Sequence, residues 1–367
     1  MRFAVDLNKG ILGGPDSTEM WEDIISHIPD ELLLKPNLRI LNIACGHGTE
    51  AVLLAKRMLS LGISKEKVNN SLFLLDKYRV FTNHAKTVYG FENTITEDFL
   101  EWKTDMNFDL VIGNPPYNDG TSANNPIYQL FTKKVAEKMM PEYFCFVIQA
   151  NWLTQTRGVG KVMRDALKKA GVYNITINGW DAFEHAKVRT CTVFCKKGYT
   201  GSITLSDRNK SVVISNFDEK ILLIADATEL MLLNKLKPSK EKKHNLKGIS
   251  DKWGIGTSYK KEGFDIDPLN TLKIIPPNKT GYKLFATFDT ENEAVSNKEK
   301  YSSFWRSKLV TYILLRTRTS TTLDNPQIEY VPNLFIDRIF TDTELYQIYN
   351  LSNAEITHIE SHVKHLY

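Results

Sequence analysis

The chain reads as an α/β protein, a largely parallel sheet with helices on both faces, followed by a smaller C-terminal domain of mixed α+β character. Three observations predict this. Short apolar runs at 39–44, 71–75, 108–112 and 143–148, followed by Cys45-Gly46, Asp76, Gly113 and Gln149, read as strands buried on both faces. Stretches with apolar residues at helical spacing lie between them. Glycines fall where the first strand gives way to a helix, and 367 residues suffice for one full core and a second domain.

The elements follow in order. Ser17 stands where it can cap a helix over 18–27, with Glu19, Glu22 and Asp23 near its start. Residues 39–44 form the first strand, and Ala44-Cys45-Gly46-His47-Gly48-Thr49 then turns into the helical run Val52-Leu53-Leu54-Ala55. Glycines at such a turn let the backbone approach a ligand closely, and the helix N-terminus favours a carboxylate. The second strand, 71–75, ends in Asp76. In a nucleotide-binding βαβ unit an acid at this point binds a ribose hydroxyl pair. The third, 93–96, leads to Asp98, which can accept from an exocyclic amine or simply cap the turn before Phe99-Leu100. The fourth, 108–112, runs through Gly113 into Asn114-Pro115-Pro116-Tyr117. A core-facing helix over 125–139 carries Ile127, Leu130, Phe131, Val135 and Met139, and strands at 143–148 and 188–194 complete the predicted sheet.

Asn114-Pro115-Pro116-Tyr117 is the most specific feature. It lies at the end of a buried strand, where open α/β sheets place their ligands. An exocyclic amino group on a heteroaromatic ring is a poor nucleophile, because its lone pair is delocalised into the ring. A site that alkylates it must draw its hydrogens out of the ring plane. The Asn114 side-chain oxygen and the Pro115 carbonyl supply two acceptors, and the paired prolines stiffen the loop that presents them. Tyr117 offers a flat face for a planar base. A proline-rich turn with an Asx-type bond is the bland alternative.

In this order, Leu41-Asn42-Ile43-Ala44-Cys45-Gly46-His47-Gly48-Thr49, Asp76, Asp98 and Asn114-Pro115-Pro116-Tyr117 resemble the N6-adenine-specific DNA methyltransferases. They are most similar to the subgroup with the catalytic domain before the target-recognition domain, the Eco57I-like methylases. The resemblance implies a Rossmann-like sheet and S-adenosyl-L-methionine as cofactor. It places Gly46 and Gly48 under the methionine part, Asp76 on the ribose and Asp98 on the cofactor's adenine. Asn42, Ala44, Cys45, Phe99 and Asn114 then line the same site, and Thr18 precedes the glycine motif where the family holds the methionine end. Asn42 departs from the acid that often opens this motif. Phe183 matches the aromatic that covers a flipped base, and a core aromatic is an equal reading. A base inside a duplex cannot reach a buried Asn, so flipping is a mechanical requirement.

Composition bounds this reading. Hydrophobic content of 42% and charged content of 25% are ordinary for a globular protein. No apolar run approaches the roughly 20 residues that span a bilayer, and no signal pattern opens the chain, so a cytoplasmic location and no membrane partner are expected. The four cysteines show neither metal-ligand spacing nor a Cys-x-x-Cys pair, so no metal site is expected.

Residues 231–367 carry 20 Lys+Arg against 16 Asp+Glu, which accounts for the whole net charge of +4. We therefore expect a catalytic domain over 1–230, a Lys-rich linker over 231–250 and a DNA target-recognition domain over 251–367. Aromatic and basic residues interleave in the last, as in Phe304-Trp305-Arg306-Ser307-Lys308. Arg316 and Arg318, set among threonines, are candidate double-stranded DNA contacts. Thr341-x-x-Glu344 and Ser352-x-x-Glu355 fit capping boxes.

The expected activity is methyl transfer to the N6 of a flipped adenine in DNA, in a restriction-modification, orphan or phage setting, with any restriction endonuclease on a separate chain. An rRNA adenine methyltransferase shares the whole active site. A protein-glutamine methyltransferase faces the same lone-pair problem, but usually carries a helical domain before the glycine motif. A non-catalytic DNA-binding specificity protein is the remaining alternative, disfavoured by the intact tetrapeptide and both glycines.

Overall fold

The computed structural model describes residues 16–119, 126–179, 189–207, 209–236, 246–250, 254–261, 264–268, 282–288, 291–317, 330–332, 334 and 336–364. The chain divides into two compact units, Met1–Ala225 and Asp226–Tyr367.

The first unit is built on one sheet. Its strands are β1 (Ile40–Ile43), β2 (Leu72–Asp76), β3 (Asn93–Thr96), β4 (Leu110–Gly113), β5 (Tyr143–Gln149), β6 (Val172–Ile177), β7 (Thr190–Lys196), β8 (Thr204–Ser206) and β9 (Ser211–Val213), in the order β3-β2-β1-β4-β5-β7-β6-β8-β9. The strands β3, β2, β1, β4 and β5 run parallel, and β7 inserts antiparallel between β5 and β6. This is a Rossmann-like, mostly parallel sheet. Its chain order reverses between β1 and β4, so their carboxyl ends open the crevice where such sheets bind ligands.

Period-two alternation divides the strand side chains between two cores. Ile40, Leu72, Leu74, Leu110, Ile112, Cys145 and Val147 pack with the helices α1 (Asp16–Ser26), α2 (Asp30–Leu33), α3 (Thr49–Ser60) and α4 (Lys65–Ser71). Leu41, Ile43, Leu75, Val111, Phe144, Phe146 and Ile148 pack with α6 (Tyr128–Lys134) and α7 (Val159–Ala170) on the other face. The helix expected over 125–139 is α6 continued by a π-turn, Val135–Met139. A similar turn, Ala85–Tyr89, ends the helix α5 (Arg79–His84).

The second unit begins within the span assigned to the catalytic domain, with helix α8 (Ala227–Leu236). The end of the stretch read as a linker is a strand, β10 (Leu246–Ser250). It joins β11 (Gly254–Lys261), β12 (Phe264–Pro268) and β13 (Tyr282–Phe288) in the order β10-β13-β11-β12. Helices α9 (Glu291–Trp305) and α10 (Lys308–Thr317) follow. Both capping boxes form, at Thr341 and Ser352, and start the helices Asp342–Ile348 and Asn353–Val363. No helix among the described residues is long and apolar enough to cross a membrane.

Candidate active site

The site grows from the carboxyl ends of β1, β2 and β4. After β1 the chain turns through Ala44 (φ 47°), Cys45 and Gly46 (φ 51°). The Cys45 N–H donates to Leu75 O (3.1 Å) and the Gly48 N–H to Cys45 O (2.8 Å), so the loop folds back over β2 before α3 starts. Asp76 closes this turn: its carboxylate accepts from the Gly46 N–H (2.9 Å) and the Tyr78 N–H (2.9 Å). The two glycines differ in role. A Cβ on Gly46 would meet nothing within 4 Å, so its backbone faces open space. At Gly48 a Cβ would press on Leu74, Ala85 and Tyr89, the nearest at 3.3 Å. Gly46 leaves the loop open, whereas Gly48 lets the π-turn after α5 pack close to β2.

The electrostatics here are those of buried acids. Burial raises the Asp76 carboxyl above the usual carboxylate range, and the backbone donors partly offset it. Glu50, at the start of α3, is 8% exposed and pushed up to about 7, first by burial and then by the Asp76 charge, against its own N–H. The sequence gives no signal for Glu50 beyond its place in the first helical turn. Burial also pushes the Cys45 thiol far up, which makes it a packing group.

Asn42 is buried on β1 and donates from Nδ2 across the sheet to Ile112 O (3.3 Å). Its Oδ1 has no hydrogen-bond partner among the described residues. Asp98 accepts from the Leu100 N–H (3.0 Å) and pairs with Lys77 Nζ (3.0 Å). Burial raises its carboxyl, but the Lys77 ammonium and the Leu100 N–H outweigh burial and hold it below the usual range. Phe99 differs from expectation. Its ring is 2% exposed and stacks on Phe131 at 5.2 Å, with the Lys134 ammonium 4.8 Å from its centroid, so the side chain is core rather than ligand surface. Lys134 also donates to the carbonyls of Phe99 (2.5 Å), Leu100 (3.2 Å) and Trp102 (2.5 Å), which fixes the loop after Asp98. Sequence reasoning missed it, since a lysine at a helix end reads as solvated. Thr18 is half-buried on α1, which packs against α3.

Gly113 brings β1 and β4 together: a Cβ there would lie 2.4 Å from Ile43 O and 2.8 Å from Ile43 Cγ1. The Asn114 Oδ1 is buried at the end of this strand with no hydrogen-bond partner among the described residues, and so is the Tyr117 hydroxyl. Pro115 is buried and Pro116 exposed. The Tyr117 carbonyl accepts from the Ile127 N–H (3.2 Å), tying the tetrapeptide to α6. The Tyr117 hydroxyl is pushed up by burial and, less, by the nearby Cys191.

The DNA-facing candidates fare differently. Arg316 pairs with Glu229, its Nη2 lying 2.9 Å from Oε2, and Glu229 also accepts from the Tyr312 hydroxyl (3.0 Å). Glu229 is 2% exposed, so Arg316 neutralises a buried acid instead of standing ready for phosphate. Phe304 and Trp305 are fully buried and belong to the core. Arg318 and Phe183 lie outside the described residues.

Residues 47–183 match the model of the Eco57I restriction-modification methylase family. This stretch is similar to the methylase domains of that family. An adenine-specific methylase of Mycoplasma pneumoniae, described as uncharacterized, is 29% identical to it over 177 residues, 40% of this chain and 42% of that protein. The chain thus spans under half the length of this curated relative. Among solved structures, the M protein of the type I restriction enzyme EcoKI is 16% identical, with 52% of this chain and 47% of that one covered and a TM-score of 0.42. A class I S-adenosylmethionine-dependent methyltransferase described as putative, from Listeria monocytogenes, is 13% identical, with 62% and 71% covered and a TM-score of 0.42. The match of the methylase domain runs from the glycine loop at His47 past the tetrapeptide at Asn114 and spans Asp76 and Asp98.

Proposed function

We propose that this chain methylates the N6 amino group of adenine in double-stranded DNA, as the modification enzyme of a restriction-modification or orphan system in the cytoplasm. The observation that carries the reading is the Asn114 Oδ1, a buried acceptor at the carboxyl end of β4 with no donor among the described residues. Such an atom costs about 1–3 kcal/mol unless a ligand satisfies it. An exocyclic amine is the donor that the tetrapeptide chemistry calls for. The Eco57I-type match and the adenine-specific relative support the same substrate.

The residues present suit S-adenosyl-L-methionine, which when bound supplies a methyl group on a sulfonium. Gly46 presents open backbone beside Asp76, whose remaining lone pairs suit ribose hydroxyls. Asp98 keeps its negative charge and suits an amine donor. Asn114 and the Pro115 carbonyl draw the target amino hydrogens out of the ring plane, and Tyr117 stacks on the base. This is catalysis by positioning and fixed dipoles. The nitrogen becomes acidic once methylated, so its proton leaves without a strong base.

Replacing Asn114 tests the proposal. Asn114→Ala is expected to lower methyl transfer by at least about 100-fold while cofactor affinity stays within a few-fold. Equal loss of both would remove Asn114 from the chemistry.

A further inference from the structure

We infer that Asn151 is a base-positioning residue whose side-chain NH2, oriented by the Tyr128 hydroxyl, donates to a ring nitrogen flanking the amino group of the target adenine. This rests on the adenine methyltransferase reading above and extends it to the ring, which Asn114 and Pro115 leave unread.

The argument begins at the strand ends. β5 is the neighbour of β4 in the sheet, and Asn151 opens the 3-10 turn Asn151–Thr154 at its carboxyl end. It therefore stands on the same rim of the sheet as Asn114. The tetrapeptide and the start of α6 are laced together by the Asn118–Pro126 bridge and by the Ile127 N–H on the Tyr117 carbonyl (3.2 Å). The next residue, Tyr128, is 1% exposed and donates its hydroxyl to Asn151 Oδ1 at 3.1 Å. The Tyr117 and Tyr128 hydroxyls both feel the buried Cys191, so the stacking tyrosine and the residue holding Asn151 converge on one spot.

That bond fixes the Asn151 amide. With Oδ1 held by a buried hydroxyl, the two N–H donors point away from Tyr128, and they meet no partner among the described residues. Asn151 is half-buried, on the same rim of the sheet as Asn114. In adenine the N6 amino group is flanked by N1 and N7, which are acceptors only. An oriented NH2 complements either of them and opposes the N1–H of guanine. Leaving such a donor unpaired against the wrong base is how a polar site discriminates.

The test uses the full chain and duplexes carrying the methylated site, with adenine, 1-deazaadenine or 7-deazaadenine at the target position. Asn151→Asp keeps the acceptor for Tyr128 and removes both donors. For the wild type, one of the two analogues is expected to lower kcat/KM by about 10- to 100-fold, the range for a lost buried hydrogen bond. Asn151→Asp should lose a similar factor with adenine and nothing further with that analogue, at unchanged cofactor affinity. Tyr128→Phe should fall between the two. A wild type that methylates adenine while Asn151→Asp is unimpaired, or loses activity multiplicatively with both analogues, overturns the role of Asn151 alone. A wild type that methylates no adenine in DNA overturns the function reading and this inference with it.

Discussion

At the scale of single residues, the site is a set of polar atoms deprived of water. Asn42 Oδ1, Asn114 Oδ1 and the Tyr117 hydroxyl are buried without hydrogen-bond partners among the described residues. Asn114 and Tyr117 could be singled out in the sequence because Asn-Pro-Pro-Tyr suits one lone-pair problem, an amino or amide nitrogen that must be drawn out of plane. Glu50 was not, because its burial follows from how α3 seats against β2. Its carboxyl is raised to about 7 from the ordinary 4.5. The folded state therefore binds the proton more tightly than the unfolded chain. This contribution to stability is full below about pH 4.5 and is lost as the pH rises through about 7. Glu50→Gln is expected to flatten that dependence and to raise stability at pH 8 by up to about 3 kcal/mol. Thermal unfolding of both proteins at pH 5 and pH 8 checks this. A variant less stable than wild type at pH 8 would show that the charged form is held by a favourable partner.

At the scale of elements, the apolar runs placed β1, β2, β4 and β5 to within two residues, because strands buried on both faces announce themselves, and the polar, half-buried edge strand β3 was placed from its position before Asp98. The reversal at β7 and the neighbours β6, β8 and β9 were not legible, since antiparallel pairing beside a parallel sheet is chosen by contacts distant in sequence. Buried cations were equally hidden. Arg164 of α7 is 2% exposed and donates to the carbonyls of Phe217 (2.6 Å), Leu153 (2.7 Å), Glu219 (2.9 Å), Gly160 (3.1 Å), Trp152 (3.3 Å) and Gln155. Arg164→Met leaves these acceptors unpaired and is expected to destabilise the first unit by about 3–5 kcal/mol. Denaturant unfolding that shifts by less than about 1 kcal/mol would mean that water replaces the guanidinium. Gly113→Ala is the matching test of the sheet. With Ile43 O in the way, β1 and β4 must part, and methyl transfer should fall by at least about 10-fold even where the variant folds.

At the scale of the molecule, two units divide after Ala225. From charge the sequence suggested a boundary at residue 230, which cuts α8 between the expected first domain and linker and leaves β10 at the end of that linker. A Lys-rich run looks solvated whether or not it borders secondary structure. Likewise Phe304 and Trp305 resembled a nucleic-acid surface because aromatic-basic strings serve both purposes, and burial decides between them. A fragment of residues 1–225 is expected to retain cofactor binding within a few-fold and to lose site-specific methylation. Calorimetric binding and transfer assays on the fragment check both halves, and retained site specificity would place target recognition in the first unit. The central claim is tested most directly by transfer of labelled methyl from S-adenosyl-L-methionine to duplex DNA, rRNA and protein in parallel, followed by nucleoside and amino-acid analysis. The expected result is N6-methyladenine in DNA alone. Label confined to rRNA or to glutamine, or none in any of the three with cofactor bound, would contradict it.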